Sequence, residues 1–279
     1  MGERITSYTH DGLTFDVRDE GPVDGDPVVL LHGFPERGSA WSSVAPLLHA
    51  AGLRTLAPDQ RGYSRGARPR RRRDYRLPLL VGDAAALLDR LGQPAHVVGH
   101  DWGASVAWLL AAAHPDRVRT LTAVSVPHGS AFVRASRTSA QGLRSWYMGF
   151  FQVPRLPELA ARRPGGPMDL GLARSGKTED EVARFRTEIV EDGALPGGLG
   201  WYRAMPLLRP GWADQRVGVP TTLVWGDADT AIVRRGIDLS AEWVDADYRL
   251  VVLGGVGHWI PTQAPAALAD AVLERIATG

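Results

Sequence analysis

Six short, largely apolar runs recur along this chain, at residues 27–31, 54–57, 96–99, 120–126, 221–225 and 250–253, each closed by turn-forming or charged residues. Runs of this length suit strands buried on both faces of a parallel sheet. Helical stretches separate them, at 41–48, 79–91, 104–113, 233–243 and 264–276; the second stops at Gly92 and Pro94. Strand–helix alternation with short joints predicts an α/β fold with a doubly wound, mostly parallel sheet. At the N-terminus, alternating segments 5–9 and 13–18 flank Asp11-Gly12 and predict an antiparallel hairpin. The rhythm breaks after Val126: residues 128–210 hold proline, glycine, aromatics and helical patches without a clear strand. The expected organisation is a core of residues 1–127 and 211–279 interrupted by a helical insertion, 128–210.

Composition removes several classes. With 279 residues, 44% of them hydrophobic, the chain can bury a full core. The absence of cysteine excludes a disulfide framework, a thiol nucleophile and a thiolate metal site. Thirty-two basic against 31 acidic residues give a net charge of +1 and no reason to expect a nucleic-acid partner. No stretch approaches the roughly 20 apolar residues that span a bilayer, so no membrane association is expected. Met1-Gly2-Glu3-Arg4 lacks an apolar signal core, which makes a cytoplasmic protein the expectation. Lys177 is the single lysine, a bias read as coding preference, and Arg70-Arg71-Arg72-Arg73 reads as a solvated loop.

Chemistry concentrates where strands end. Gly99-His100-Asp101-Trp102-Gly103 lies between a buried strand and a helix. That is the setting of a nucleophile elbow, whose glycines permit a sharp turn that exposes the central side chain. The elbow residue here is Asp101, and Ser105 lies beyond it on the helix, so a serine esterase does not fit. A serine attacking an alkyl carbon leaves an ether; a carboxylate leaves an ester that activated water can hydrolyse. An elbow aspartate therefore points to sp3-carbon electrophiles. Of eight histidines, His258 in Gly254-Gly255-Val256-Gly257-His258-Trp259 follows the last strand and is the candidate base. His100 precedes the elbow aspartate and is expected to point away from it, and His32, which ends a strand, to pack under the loop. Trp225-Gly226-Asp227-Ala228-Asp229 offers two acids to orient the base, and the order Asp101, acid, His258 is that of a hydrolase triad. His32-Gly33-Phe34-Pro35-Glu36 follows the first parallel strand; its Phe34 amide, with that of Trp102, is the candidate oxyanion hole.

Together HGFPE at 32–36, DQRGYS at 59–64, GHDWG at 99–103, WGDAD at 225–229 and GVGHW at 255–259 resemble the soluble, cap-bearing epoxide hydrolases of the α/β-hydrolase superfamily over nearly the whole chain. The resemblance implies an α/β-hydrolase core with a helical cap, prefers Asp229 to Asp227, and makes the two tyrosines of the insertion, Tyr147 and Tyr202, acids facing Asp101. It implies hydrolysis of an epoxide to a vicinal diol through an ester on Asp101, with water as co-substrate and no metal or organic cofactor. Trp146, Trp201, Trp259 and Phe34 are the expected walls of a pocket for an apolar or aromatic substrate. Haloalkane dehalogenases share the aspartate elbow and its tryptophan, and a ligand-binding protein on a hydrolase scaffold is a further alternative. Monomer and homodimer are both open.

Overall fold

The computed structural model of the chain describes residues 3–279. Eight strands form one sheet in the order β1-β2-β4-β3-β5-β6-β7-β8. β1 (Ser7–His10) and β2 (Leu13–Glu20) make the antiparallel hairpin, and β2 pairs antiparallel with β4 (Leu53–Pro58). The remaining strands, β3 (Asp26–Leu31), β5 (Ala95–His100), β6 (Val118–Val124), β7 (Thr221–Gly226) and β8 (Tyr248–Leu253), run parallel with β4 and with one another. β4, β5 and β7 are buried at every position, their few polar residues included, whereas the edge strand β8 is only partly covered.

Helices α1 (Ala45–Ala50), α2 (Leu77–Leu91) and α3 (Trp102–Ala113) follow β3, β4 and β5 in turn. Seven more lie between β6 and β7: α4 (Gly129–Thr138), α5 (Gln141–Arg144), α6 (Trp146–Gln152), α7 (Leu156–Arg162), α8 (Pro167–Arg174), α9 (Glu179–Phe185) and α10 (Leu195–Ala204), with a π-helical turn at Arg186–Glu191 before α10. The chain closes with α11 (Arg234–Leu239), α12 (Ile260–Gln263) and α13 (Pro265–Thr278). One apolar cluster joins the sheet to α2 and α3, and a second joins it to α1 and α13, so both faces are covered. No helix among the described residues is long and apolar enough to cross a membrane.

The expected helix at 41–48 instead begins as a 3-10 turn, Gly38–Trp41, ahead of the short α1, and the one at 233–243 divides into α11 and a 3-10 turn. Ser240 opens that turn with its hydroxyl bonded back to the Gly236 carbonyl at 3.0 Å, a contact that competes with helix continuation. The arginine run is exposed, but Arg72 reaches the insertion and donates to the carbonyl of Arg203.

Two features of this order place the site. β3 has β4 on one side and β5 on the other, so the chain reverses direction across the sheet there and leaves a crevice at the strands' carboxyl ends. The insertion covers that crevice: Phe34, just after β3, packs edge-on against Phe151 of α6 and Tyr202 of α10, at 5.2 and 5.1 Å between centroids. α10 approaches closely because it carries glycines. A Cβ at Gly197 would lie 2.5 Å from the Gly62 Cα.

Two fully buried histidines make the fold acid-sensitive. Burial pushes both His32 and His128 down to about 4. Unfolding lets them bind protons near 6.5, so each withdraws stability as pH falls from about 7 to 4, on the order of 3 kcal/mol. Calorimetry across that range should show Tm falling, with a shallower fall in His128→Gln; an equal fall would assign the loss to other groups.

Candidate active site

Asp101 joins β5 to α3 with φ 53° and ψ −120°, in the left-handed half of the backbone map. For a residue with a Cβ this costs on the order of 1–3 kcal/mol. The surrounding glycines leave the turn no alternative packing. A Cβ at Gly103 would sit 2.0 Å from the Leu31 carbonyl oxygen, and one at Gly33 would sit 2.4 Å from the Asp101 Cβ. The turn holds the carboxylate at the crevice, largely buried, where the Phe34 amide donates to Oδ1 at 2.8 Å. The amide of Trp102 donates no hydrogen bond to Asp101 among the described residues.

The other oxygen, Oδ2, stands 3.4 Å from Nε2 of His258. Nδ1 of His258 is 2.8 Å from Oδ2 of Asp229, whose side chain is fully buried. The remaining oxygen of Asp229 accepts the amides of Ala231 and Ile232 at 2.7 and 2.9 Å, which fixes the carboxylate in the loop after β7. Asp227 instead accepts the amide of Gly255 at 2.7 Å and is exposed. His32 and His100 pack alongside. His32 accepts the Gln60 amide, and His100 Nε2 donates to the carbonyl of His258 at 2.9 Å.

Burial alone would disfavour the His258 imidazolium, but the carboxylates of Asp229 and Asp101 push it up to about 10. The same His258 charge, with the two loop amides, holds Asp229 below the usual carboxylate range despite its burial. At neutral pH the resting site is thus an imidazolium between two carboxylates.

Asp101 opens into a cavity of about 150 Å³ that Tyr147 of α6 and Tyr202 of α10 also line. The two rings stand 6.2 Å apart, and Tyr202 packs edge-on to Trp102 at 5.1 Å. Burial, and after it the charge of Asp101, raises both phenols above their ordinary range, so both are O–H donors at neutral pH. Apart from Ser105, the other walls are apolar, including Leu109, Phe132, Met148, Met205, Leu208 and Trp212. Asp101 is their only charged member, and His258 meets the cavity through it.

The four expected pocket walls need correction, because none lines this cavity. Trp201 is fully buried and its indole N–H donates to the carbonyl of Arg61 at 2.7 Å. Trp146 is 71% exposed. Trp259 is buried with its N–H on Ser175, and Phe34 is buried against Phe151 and Tyr202. Trp201 and Trp146 directly precede the two tyrosines, and successive residues on a helix diverge by about 100°, so when the tyrosine faces the cavity its neighbour cannot. Of the walls that sequence reasoning missed, Trp212 had a signal, since it lies just past the insertion among turn residues.

Comparison with known proteins gives the same frame. A family profile described as alpha/beta hydrolase fold matches residues 26–265. The AB hydrolase superfamily protein YfhM of Bacillus subtilis is 33% identical over 285 residues, covering 99% of this chain and 98% of its own. Epoxide hydrolase A of Mycobacterium tuberculosis is 30% identical over 306 residues, with 94% of each covered. A solved structure among novel epoxide hydrolases from metagenomes of hot environments superposes with a TM-score of 0.85 at 27% identity, covering all of both chains.

The electrostatics of the site can be tested directly. Asp229→Asn removes one charge that favours the imidazolium, so the His258 titration should move downward from about 10 when followed by ring-resonance NMR. An unmoved titration would mean that Asp229 does not set the charge state of His258.

Proposed function

The chain belongs to the α/β-hydrolase superfamily, and from that premise we propose that it is an epoxide hydrolase that converts an apolar epoxide to a vicinal diol through an ester on Asp101. The observation that carries this reading is the cavity itself, where one carboxylate is the sole charge and two phenols supply the O–H donors. Residues 128–210 act as the cap that brings those phenols over the core, residues 1–127 and 211–279.

In the first step Oδ2 of Asp101, which has no amide donor, attacks a ring carbon. The carbon–oxygen bond of the ring breaks, and the departing oxygen takes a proton from Tyr147 or Tyr202, leaving a tyrosinate. His258 first passes its resting proton to the tyrosinate; in the second step, now neutral, it removes a proton from water, and the hydroxide attacks Cγ of Asp101. The negative charge gathers on Oδ1, already paired with the Phe34 amide; the amide of Trp102, the first residue of α3, is the second donor in this reading. Collapse expels the product alkoxide, which takes the proton from His258, and the regenerated carboxyl passes its proton to His258, restoring the imidazolium. The sum is epoxide plus water to diol, and Asp229 steadies His258 throughout.

The charge of Asp101 times the two steps. It is one of the two carboxylates that raise His258, and it also raises both phenols. Esterification removes it. His258 then falls from about 10 and gives up its resting proton to the tyrosinate, which leaves a neutral base for water, while the phenols become stronger acids as the alkoxide forms. A resting imidazolium is therefore compatible with a base that acts only in the second step.

A dehalogenase would use the same aspartate and histidine but needs indole or amide donors for the departing halide. Of the indoles near the site, Trp102 and Trp212 line the cavity, whereas Trp201 spends its N–H on Arg61 and Trp146 is exposed. Incubation with styrene oxide and with 1-chlorohexane should give diol and no halide; halide release at comparable rates would reverse the assignment. Tyr147→Phe and Tyr202→Phe should each lose about 10- to 100-fold in turnover and the double variant at least 1,000-fold, in line with general acid catalysis. Wild-type turnover in the double variant would remove the tyrosines from the reaction. His258→Gln should accumulate a covalent adduct that Asp101→Asn cannot form, read by intact-protein mass. In single turnovers the hydrolysis step should titrate below the value of about 10 held by His258 at rest.

A further inference from the structure

Lys177 lies between α8 and α9, in the insertion, and is the only lysine among 32 basic side chains. Its side chain is 2% exposed. The ammonium donates to Oε1 of Glu36 at 2.6 Å, stands 3.7 Å from Oε1 of Glu181, and sits over the ring of Trp259 at 3.7 Å from its centroid. Burying a charge this deeply is costly unless its partners compensate it fully. Burial likewise opposes the charge of Glu36, yet Lys177 and His100 hold its carboxyl well below the usual range. The reaction described above uses none of these groups, and none of them lines the cavity.

Their chain positions suggest a purpose. Glu36 is two residues past Phe34, whose amide holds Oδ1 of Asp101, and Trp259 directly follows His258. Oε2 of Glu36 is also 3.5 Å from Nδ1 of His100, which precedes Asp101 and donates through Nε2 to the His258 carbonyl. One ammonium from the insertion therefore braces the segments that carry the amide donor and the base. A compact ammonium fits between two carboxylates and above an indole face; the planar fork of an arginine needs a different geometry.

We propose that Lys177 is a positioning residue for ester hydrolysis, clamping Glu36 and Trp259 so that the Phe34 amide and His258 keep their places around alkylated Asp101. The half-reaction it serves rests on the two-step reading under Proposed function. The amide donor and the base both act on the ester carbonyl. Ring opening draws on Asp101 and on phenols from α6 and α10, which Lys177 does not touch.

The test is rapid-quench and steady-state kinetics of the full chain and Lys177→Met on styrene oxide, with the adduct on Asp101 read by intact-protein mass. Alkylation should stay within about 2-fold while hydrolysis slows about 10- to 100-fold. The adduct then dominates the steady state, and kcat and KM fall together with kcat/KM nearly constant. Lys177→Arg should recover part of the hydrolysis rate; should the methionine variant fail to fold, Lys177→Arg takes its place, with hydrolysis slowed less but alkylation again spared. Hydrogen exchange without substrate should quicken at residues 33–37 and 257–260. Equal slowing of both steps, or exchange unchanged in those segments, overturns the proposal. If the wild type forms no adduct, the two-step reading fails instead, and the exchange comparison alone decides the clamp.

Discussion

One carboxylate held in a strained turn is the constraint to which the rest of this structure answers. Asp101 takes a backbone conformation that costs on the order of 1–3 kcal/mol, and it is largely buried, where an ionised carboxylate needs partners. The Phe34 amide and the His258 ring meet that need. For both to reach it, β3 and β5 must lie side by side, and the loops after β3, β5 and β8 must converge. Glycines at 33 and 103 follow from the same crowding, since a side chain at either would occupy space taken by the turn.

Much of this is legible in the sequence because burial on both faces leaves an unmistakable pattern. β3 to β7 read as short apolar runs, and the turn chemistry that ends them falls where the catalytic candidates stand. The choice between Asp227 and Asp229 does not follow from local sequence, because both sit in one loop two residues apart. Tertiary partners separate them: the amides of Ala231 and Ile232 turn Asp229 toward His258, whereas Asp227 takes the amide of Gly255 in the neighbouring loop.

The insertion is the least readable part, for a physical reason. Its helices are short, several of only four to seven residues, so apolar periodicity has no room to declare a face. Tryptophans beside the tyrosines therefore read as pocket walls, yet helical geometry turns Trp201 into the core and Trp146 to solvent. Met205, Leu208 and Trp212 line the cavity from the stretch after α10 and leave no periodic trace.

The same short helices explain how the phenols are held. Tyr202 comes from a helix with three glycines in its first turns, which lets α10 settle against Gly62, Tyr63 and Tyr75 with almost no side chain between. Trp201, anchored on the carbonyl of Arg61, then fixes the helix rotation, and a residue one step along must face the cavity. Tyr147 is set through its neighbours: α6 packs on α10 through Phe151, which meets Tyr202 at 4.8 Å and Tyr147 at 5.7 Å. The deeper phenol thus takes its place from the core and the shallower one from its partner. A substitution that shifts α10 must displace both hydroxyls, whereas one in α6 can move Tyr147 alone.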